Sequence, residues 1–439
     1  MSKKNWKNWS GIVSYKPLKV RMPASEQEIV DRVKHCAAKN RKMRMVGSGH
    51  SWTPLCETDQ ELLSLDNYQG IESVDHAKMQ ATVYAGTKIH QLTQLLFNEG
   101  LAMENLGDID RQSIAGAVST GTHGTGLDFG IIPTQVIGLT IVSASGEVIE
   151  CSETQNQNIF KAAQVSLGAL GVISKLTLQC VPAYKLNYTA DKEDLQSCLA
   201  NLDNYNAHNR NFEFYWFPYS SVCQTKFSNI SDGPVQDNPV SDFINGMVIE
   251  NGIFGAVSEI TRLAPKLSSK VAKLSSVLVG PFSKTNWSHK VYATPRHVKF
   301  NEMEYNIPIE EFKDTLLEVV DAFEHYRFQV HFPLENRFLK ADDIYLSPAY
   351  GRTSAHISFH TYKGMPYQHY FGVMESICRN HQGRPHWGKL HGMAGKDLRP
   401  LFPKWDDFLN VRKQLDPQGM FLNGYLRQLF GLESLVSDK

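Results

Sequence analysis

Two charged residues offer chemistry at once: Glu335 and Arg337 lie two apart in Glu-Asn-Arg on an apparent strand, so both side chains leave the same face. In a cleft the carboxylate would hold the guanidinium in place while Arg337 gave fixed donors to a hydroxyl or to negative charge. On an open surface the same pair would be an ion bridge worth only ~0 to 1 kcal/mol. Lys389 closes His386-Trp-Gly-Lys389, where an ammonium would stabilise developing negative charge or would simply be solvated. Ser358 and His360 again share one face of a strand. His386 and His391 are five apart without a carboxylate neighbour, so no metal site is expected.

A second kind of chemistry lies at Gly47-Ser-Gly-His-Ser51. An alternating segment ending at Val46 runs into two glycines that permit successive N–H groups to converge on an anion such as a pyrophosphate. His50 beside such a cradle is a hydrogen-bond donor, a nucleophile or a solvated side chain after a turn. A Rossmann fingerprint is excluded, because Trp52-Thr-Pro54 stands where a third glycine and a helix would be. Walker and nucleophile-elbow patterns are also missing here. Between Gly107 and Gly126 a second glycine-rich stretch leaves much backbone bare, which suits a large flat ligand or else a plain connection. Gly168 and Gly171 form a third glycine pair.

The elements that must position these residues follow from periodicity. Ser25-Glu-Gln-Glu28 has capping-box spacing and predicts a helix to about Asn40 that leads into the cradle strand. Leu62–Leu65 and Gln80–Ala85 read as strands, and a helix bearing Leu92, Leu95 and Leu96 stops at Gly100. Strands over 134–143 and 147–150 form a hairpin at Ser145-Gly146, and 175–180 alternates as a strand. Farther on, Phe212–Phe217, Arg327–Phe332 and Ser354–Tyr362 read as strands, with helices over Ile309–Tyr326 and Gln368–Asn380. The set predicts an antiparallel sheet covered by helices on one face. Residues 232–285 are least legible; Phe243, Met247, Val248, Ile253 and Phe254 there would cover the core or touch a membrane or neighbouring subunit.

Lys plus Arg and Asp plus Glu balance at 45 each over 439 residues, so no polyanion partner such as nucleic acid is implied. Seven scattered cysteines without a Cys-x-x-Cys pair point to a reducing cytoplasm. No apolar run is long enough to span a bilayer, and the N-terminus lacks a signal-peptide core.

Gly47-Ser-Gly-His-Ser51, the segment 113–124 (Ser-Ile-Ala-Gly-Ala-Val-Ser-Thr-Gly-Thr-His-Gly) and Gly168-Ala-Leu-Gly-Val-Ile173 together resemble the FAD-binding domain of the vanillyl-alcohol oxidase family. Glu335-Asn-Arg337, Leu346-Ser-Pro-Ala-Tyr350, Arg384-Pro-His-Trp-Gly-Lys389 and the run from Pro417 to Asn423 resemble its aldonolactone oxidase and alditol oxidase branch. The resemblance implies an α+β, two-domain flavoprotein. A PCMH-type FAD-binding domain would take residues 10–185, a substrate or cap domain 186–415, and the segment 416–439 would return to the first. It implies FAD bound by Gly47, Ser48, Gly49, His50, Ser51, Gly107, Asp108, Ser113, Gly116, Thr120, Gly121, Thr122, His123 and Ile173, with His50 covalently attached to the 8α-methyl carbon. Glu335, Arg337 and Lys389 would be catalytic, and Asp108, Ser358 and His360 would join them around the substrate. The activity implied is oxidation of a polyol or sugar lactone, with hydride passing to flavin N5 and electrons to oxygen, giving hydrogen peroxide. The alternatives are a dehydrogenase with a quinone or cytochrome acceptor and a flavoprotein without turnover. By the same resemblance Gly107 stands beside the reactive flavin edge, where galactonolactone dehydrogenase carries Ala, so glycine here implies an open passage for oxygen, unless it serves only its turn.

Overall fold

The computed structural model describes residues 5–237, 254–293 and 297–432; the apolar positions Phe243, Met247, Val248 and Ile253 lie outside them. Helix Glu26–Ala38 begins where expected. Ser25 Oγ accepts from the Glu28 amide at 3.2 Å, while the Glu28 carboxylate reaches one residue farther back, to the Ala24 amide at 2.9 Å. Ile29, Val30, Val33 and Cys36 form its buried stripe.

The cradle strand Met43–Val46 pairs in parallel with Glu61–Ser64, which pairs in parallel with Lys19–Arg21. Met43, Arg44 and Val46 are all buried, since a parallel sheet is covered on both faces. Burial of Arg44 is tolerated because its guanidinium donates to carbonyls from three distant segments: Leu55, Leu167 with Gly168, and Phe421. The C-terminal run adds to this junction, with the Met43 amide donating to Met420 O at 3.0 Å and Asn423 Nδ2 to Pro54 O at 2.8 Å.

A second, five-stranded antiparallel sheet contains the hairpin Val136–Val142 and Val148–Ser152, with Val172–Gln179, Gln80–Tyr84 and Ile71–Asp75 beyond it. The largest sheet is antiparallel and eight-stranded. Its order is Phe282–Trp287, Lys185–Asp194, Val222–Ile230, Asn211–Trp216, Leu334–Leu339, Ser354–Tyr362, Phe300–Pro308 and Arg384–Pro385. Helices Phe312–Tyr326 and Gln368–Asn380 cover one face, where Phe214 meets Phe312, Trp216 meets Phe323 and Phe359 meets Tyr370. Those contacts take every second residue of each strand, so the intervening residues emerge on the opposite face.

One predicted strand is absent. Residues 327–332 form no ladder, although Phe328, Val330 and Phe332 are buried at the expected alternate positions. Arg327 ends the preceding helix in the left-handed conformation, φ 53°. The apolar side chains then pack individually, Phe328 against Tyr370 and Phe332 against Phe254. Buried His331 instead bonds the Ser258 and Thr261 hydroxyls at 2.9 and 3.1 Å. Alternation recorded burial, not pairing.

Candidate active site

The face of the large sheet turned away from helices Phe312–Tyr326 and Gln368–Asn380 is polar and in register across four strands. One row runs Glu213, Arg337, His356, Asn306; the next runs Tyr215, Glu335, Ser358, Glu304; His360 faces Glu302 in a third. Cross-strand neighbours on one face lie about 5 Å apart, so register alone brings these side chains together.

Arg337 is surrounded by carboxylates. Its Nε donates to Glu213 at 2.9 Å, a terminal nitrogen lies 2.6 Å from Asp108, and it pairs with Glu335. Tyr215 donates to Glu335 at 3.2 Å and lies 3.4 Å from Asp108, while Lys226 is 3.6 Å from Glu213. Three carboxylates thus face two cations in a buried place, and the arrangement relaxes when one carboxyl holds a proton. Glu335 is that group. Burial pushes its pKa up to about 7, with Asp108 and Glu213 adding to the rise against the opposing pull of Arg337. Burial acts against the Arg337 charge as well, yet its acidic neighbours hold it well above the usual guanidinium value.

A second cluster centres on Glu304. Arg352 donates to Asn306 Oδ1 at 3.0 Å, which turns the amide nitrogen toward His356 Nε2, also at 3.0 Å. His356 therefore carries its proton on Nδ1 and donates it to Glu304 at 3.0 Å. Ser358 donates to the other carboxylate oxygen at 3.0 Å. His123 Nδ1 faces the Gly124 carbonyl at 2.9 Å and its Nε2 faces Glu304 at 2.7 Å, so that pair also shares a proton. Burial opposes the Glu304 charge, but His123 and His386 hold it well below the carboxylate range. Beside it, Glu302 pairs with Lys389 and lies 3.5 Å from His360. There too burial is outweighed, by Lys389 and His360, and the pKa falls to about 2.

The cleft behind the cradle meets this face through one loop. The Trp52 amide donates to Gly388 O at 2.7 Å, and the Lys389 ammonium lies 4.5 Å from the centre of the Trp52 ring. Gly47, Ser48, Gly49, His50 and Ser51 line the cleft, joined by Ser113, Gly116, Thr120 and Ile173 from the later glycine segments. A side chain at Gly47 would strike Ser113 Oγ at 2.2 Å. Gly107, Asp108, Gly121, Thr122 and His123 are not among the residues that line this cleft. Asp108 turns to Arg337 and His123 to Glu304. Thr122 Oγ1 accepts from Gln112 at 3.3 Å, and Gly121 faces Pro348, Ile131 and Val165. Gly107 abuts backbone, for a Cβ there would lie 2.7 Å from the His123 carbonyl oxygen.

Asp108 with Glu213 and Glu335, and His123 with Glu304 and His356, each bring ligand-type atoms within 4.8 Å. Arg337 already serves the first trio, and hydrogen bonds saturate the second. Glu213, Tyr215, Glu302, Glu304 and His356 were not singled out in the sequence, although the alternation Phe300-Asn-Glu-Met-Glu-Tyr305 carries the strand signal that places Glu302 and Glu304 on one face.

Residues 176–429 match the family model for D-arabinono-1,4-lactone oxidase, and residues 17–152 that for the FAD binding domain. The chain belongs to the D-arabinono-1,4-lactone oxidase family. It is 38% identical over 426 residues to L-gulono-1,4-lactone dehydrogenase of Mycobacterium tuberculosis, spanning 97% of this chain and 99% of that relative. Identity to L-gulonolactone oxidase of Mus musculus is 33% over 432 residues, covering 97% and 98%. Cholesterol oxidase from Brevibacterium sterolicum shares the fold, with a TM-score of 0.81 at 18% identity over 97% of this chain and 96% of that one. Like its family, this α+β chain is an FAD-dependent oxidoreductase acting on CH–OH groups.

The cleft fits the cofactor on its own chemistry. His50 Nδ1 is buried without a hydrogen-bond partner, and burial, helped by Lys389 and Lys88, lowers the imidazole pKa to about 4. The ring is therefore neutral and its lone pair free, the state a nucleophile needs. The Trp9 ring lies beside it, with ring centres 5.6 Å apart.

Proposed function

We propose that this enzyme oxidises one carbinol of an aldono-1,4-lactone and passes the electrons to oxygen, releasing hydrogen peroxide. Bound FAD supplies the two-electron acceptor. The observation that carries the reading is the polar sheet face with one excess carboxylate, joined through Gly388 and Lys389 to the cleft that ends at His50. Arg337 offers fixed donors to the lactone oxygens, and Asp108 and Glu213 hold the guanidinium plane. Glu335 takes the hydroxyl proton in its ionised form, and Tyr215 orients it. Lys389, anchored by Glu302, supplies positive charge where negative charge appears. Ser358 and His360 reach the face through Glu304 and Glu302 and line it beside the reacting carbon. His50 and the glycine cradle hold the cofactor, His50 covalently. Names of the relatives and the family model support a lactone substrate; the seven free thiols support a cytoplasmic setting.

The test is peroxide release in air from aldonolactones and alditols, compared with anaerobic dye reduction. Peroxide in proportion to lactone consumed is expected; dye reduction without peroxide would replace the oxidase by the dehydrogenase. The dehydrogenase is the second reading because the 38% identical relative carries that name. Gly107→Ala bears on the same choice. Its methyl meets the His123 carbonyl, so it narrows the flavin side only by shifting residues 122–124. We expect slower reoxidation in stopped flow with dye-linked activity kept; equal rates in both forms would remove the oxygen gate. For His50, acid-precipitated wild type should stay yellow and His50→Ala should not, and colour found wholly in the wild-type supernatant would end the covalent assignment.

A further inference from the structure

Gly47 and Gly49 give the cradle its freedom, and Gly49 uses it, at φ 69°. That freedom is a difficulty for His50, which follows directly, because a side chain that must meet one atom of a ligand needs a fixed backbone. The restraint comes from the N-terminal end of the chain. Trp6–Lys7 and Ser14–Tyr15 pair as a two-stranded antiparallel ribbon. Such a ribbon is marginal by itself in water, so it depends on what it lies against. Here it lies on the cradle strand: Tyr15 shares a small core with Val46 and Leu62, Trp6 and Val13 pack on that core, and Trp6 stacks on Tyr15 with ring centres 4.8 Å apart.

The turn of the ribbon grips His50 from both sides. The Trp9 amide donates to Gly49 O at 2.8 Å and Asn8 Nδ2 to Ser51 O at 2.9 Å, so the carbonyls before and after His50 are both engaged. Asn8 is itself held, only 6% exposed, with its Oδ1 accepting from the amides of Gly11 at 2.9 Å and Val13 at 3.0 Å. The Trp6 ring covers Gly49 so closely that a Cβ there would stand 2.8 Å from Trp6 Cζ2. Trp9, beside the imidazole, also meets Phe300 at 5.3 Å and Trp52 at 6.1 Å, which ties the turn to the large sheet. Trp6, Val13 and Tyr15 wall the cleft that His50 lines. Amid all this restraint His50 Nδ1 stays buried and unpartnered, a cost that a purely structural histidine would relieve with a hydrogen bond.

We propose that the ribbon of residues 6–15 positions His50 for attachment to the flavin, with Asn8 and Trp9 as its positioning residues. The inference rests on the covalent reading of His50 given above. Attachment joins an imidazole nitrogen to the 8α carbon. The imidazole N–H proton and one methyl proton leave, and two electrons pass through the flavin to oxygen, which takes up the two protons as hydrogen peroxide. Bond formation of this kind requires the nitrogen to stand within reach of one carbon, and a displacement of about 1 Å can cost ~10²-fold. A ribbon that merely covered the cradle would leave the Gly49 and Ser51 carbonyls to water.

The full chain, purified from riboflavin-limited cells and given FAD in air, tests this. Total bound flavin is read after desalting and attached flavin after acid precipitation, both over time. Asn8→Ala and Trp9→Ala should bind FAD yet attach it at least roughly tenfold more slowly than wild type, while Trp9→Phe, which keeps a ring beside the imidazole, should recover most of the rate. Attachment at the wild-type rate in both alanine variants overturns the proposal. Attached and total flavin that fall together in both, with Trp9→Phe no better than Trp9→Ala, assign the ribbon to the shape of the cleft alone and overturn it too. Flavin wholly released from the wild type by acid ends the covalent reading itself, a failure visible without any variant, whereas failure of the positioning role shows only in the variants.

Discussion

Two clusters on one sheet face, a row apart in register, are tuned in opposite directions. Around Arg337, carboxylates outnumber their cations and Glu335 is driven up to about 7. Around Glu304, one carboxylate is held by hydrogen bonds from His356 and Ser358 and by His123, and stays ionised. Both side chains are largely withdrawn from solvent, and donor count differs. A buried acid short of donors keeps a proton within reach of neutral pH, whereas a saturated one is fixed in place. The first arrangement suits proton transfer and the second suits holding His123 and the loop beside Gly107 against the large sheet.

The largest effect that would break this contrast comes from Arg337→Ala. It removes the fixed donor and strands three carboxylates, so anaerobic flavin reduction should fall by ~10²-fold or more. Stability should drop by about 3–5 kcal/mol, while flavin remains bound. An unchanged reduction rate would move the substrate site elsewhere.

Glu335→Gln should come next, with a loss of ~10²-fold in reduction rate and disappearance of the kcat/KM limb near neutral pH. Its stability effect has a definite sign. Between the unfolded carboxyl value of roughly 4.3 and about 7, folded Glu335 binds more protons than the unfolded chain. Wild-type stability therefore falls as pH rises through that window, and the Tm of Glu335→Gln relative to wild type should climb from pH 5 to pH 8. A constant Tm difference would assign the proton to another member of the cluster. Glu302 and Glu304 act in the opposite sense: their stabilisation is complete above roughly 4.3 and is lost as pH falls, toward about 2 for Glu302.

Glu304→Gln sharpens the contrast with the smallest change in rate. It should cost about 1–3 kcal/mol, because His123 loses its charged partner, and should slow reduction less than roughly tenfold. Reduction as impaired as in Arg337→Ala would show that both clusters serve chemistry.

The cradle and its histidine were legible because glycines and a strand end leave a local mark, and Glu335 with Arg337 because both sit on one short strand. Helix Gln368–Asn380 and strand Ser354–Tyr362 appear with the predicted bounds, since their periodicity is unbroken. What register assembles was not legible. Nothing in Glu213 or Glu304 alone says which strand lies beside it, nor that Asp108 and His123, which the resemblance placed at the cofactor and Asp108 also at the substrate, pair with Arg337 and Glu304 on the sheet. Segment 327–332 failed for the converse reason, as alternation there reflects separate pockets.

The junction at Arg44 bears on how the protein is made. Met43, Arg44 and Pro54 take partners from Met420, Phe421 and Asn423, more than 360 residues later. During vectorial synthesis the strand leading to the cradle emerges early and waits without those partners, its guanidinium held by water until carbonyls can replace that solvation. Residues 420–423 must be synthesised before the cradle strand has these partners, so this half of the chain completes its packing late, as contacts of long sequence separation do.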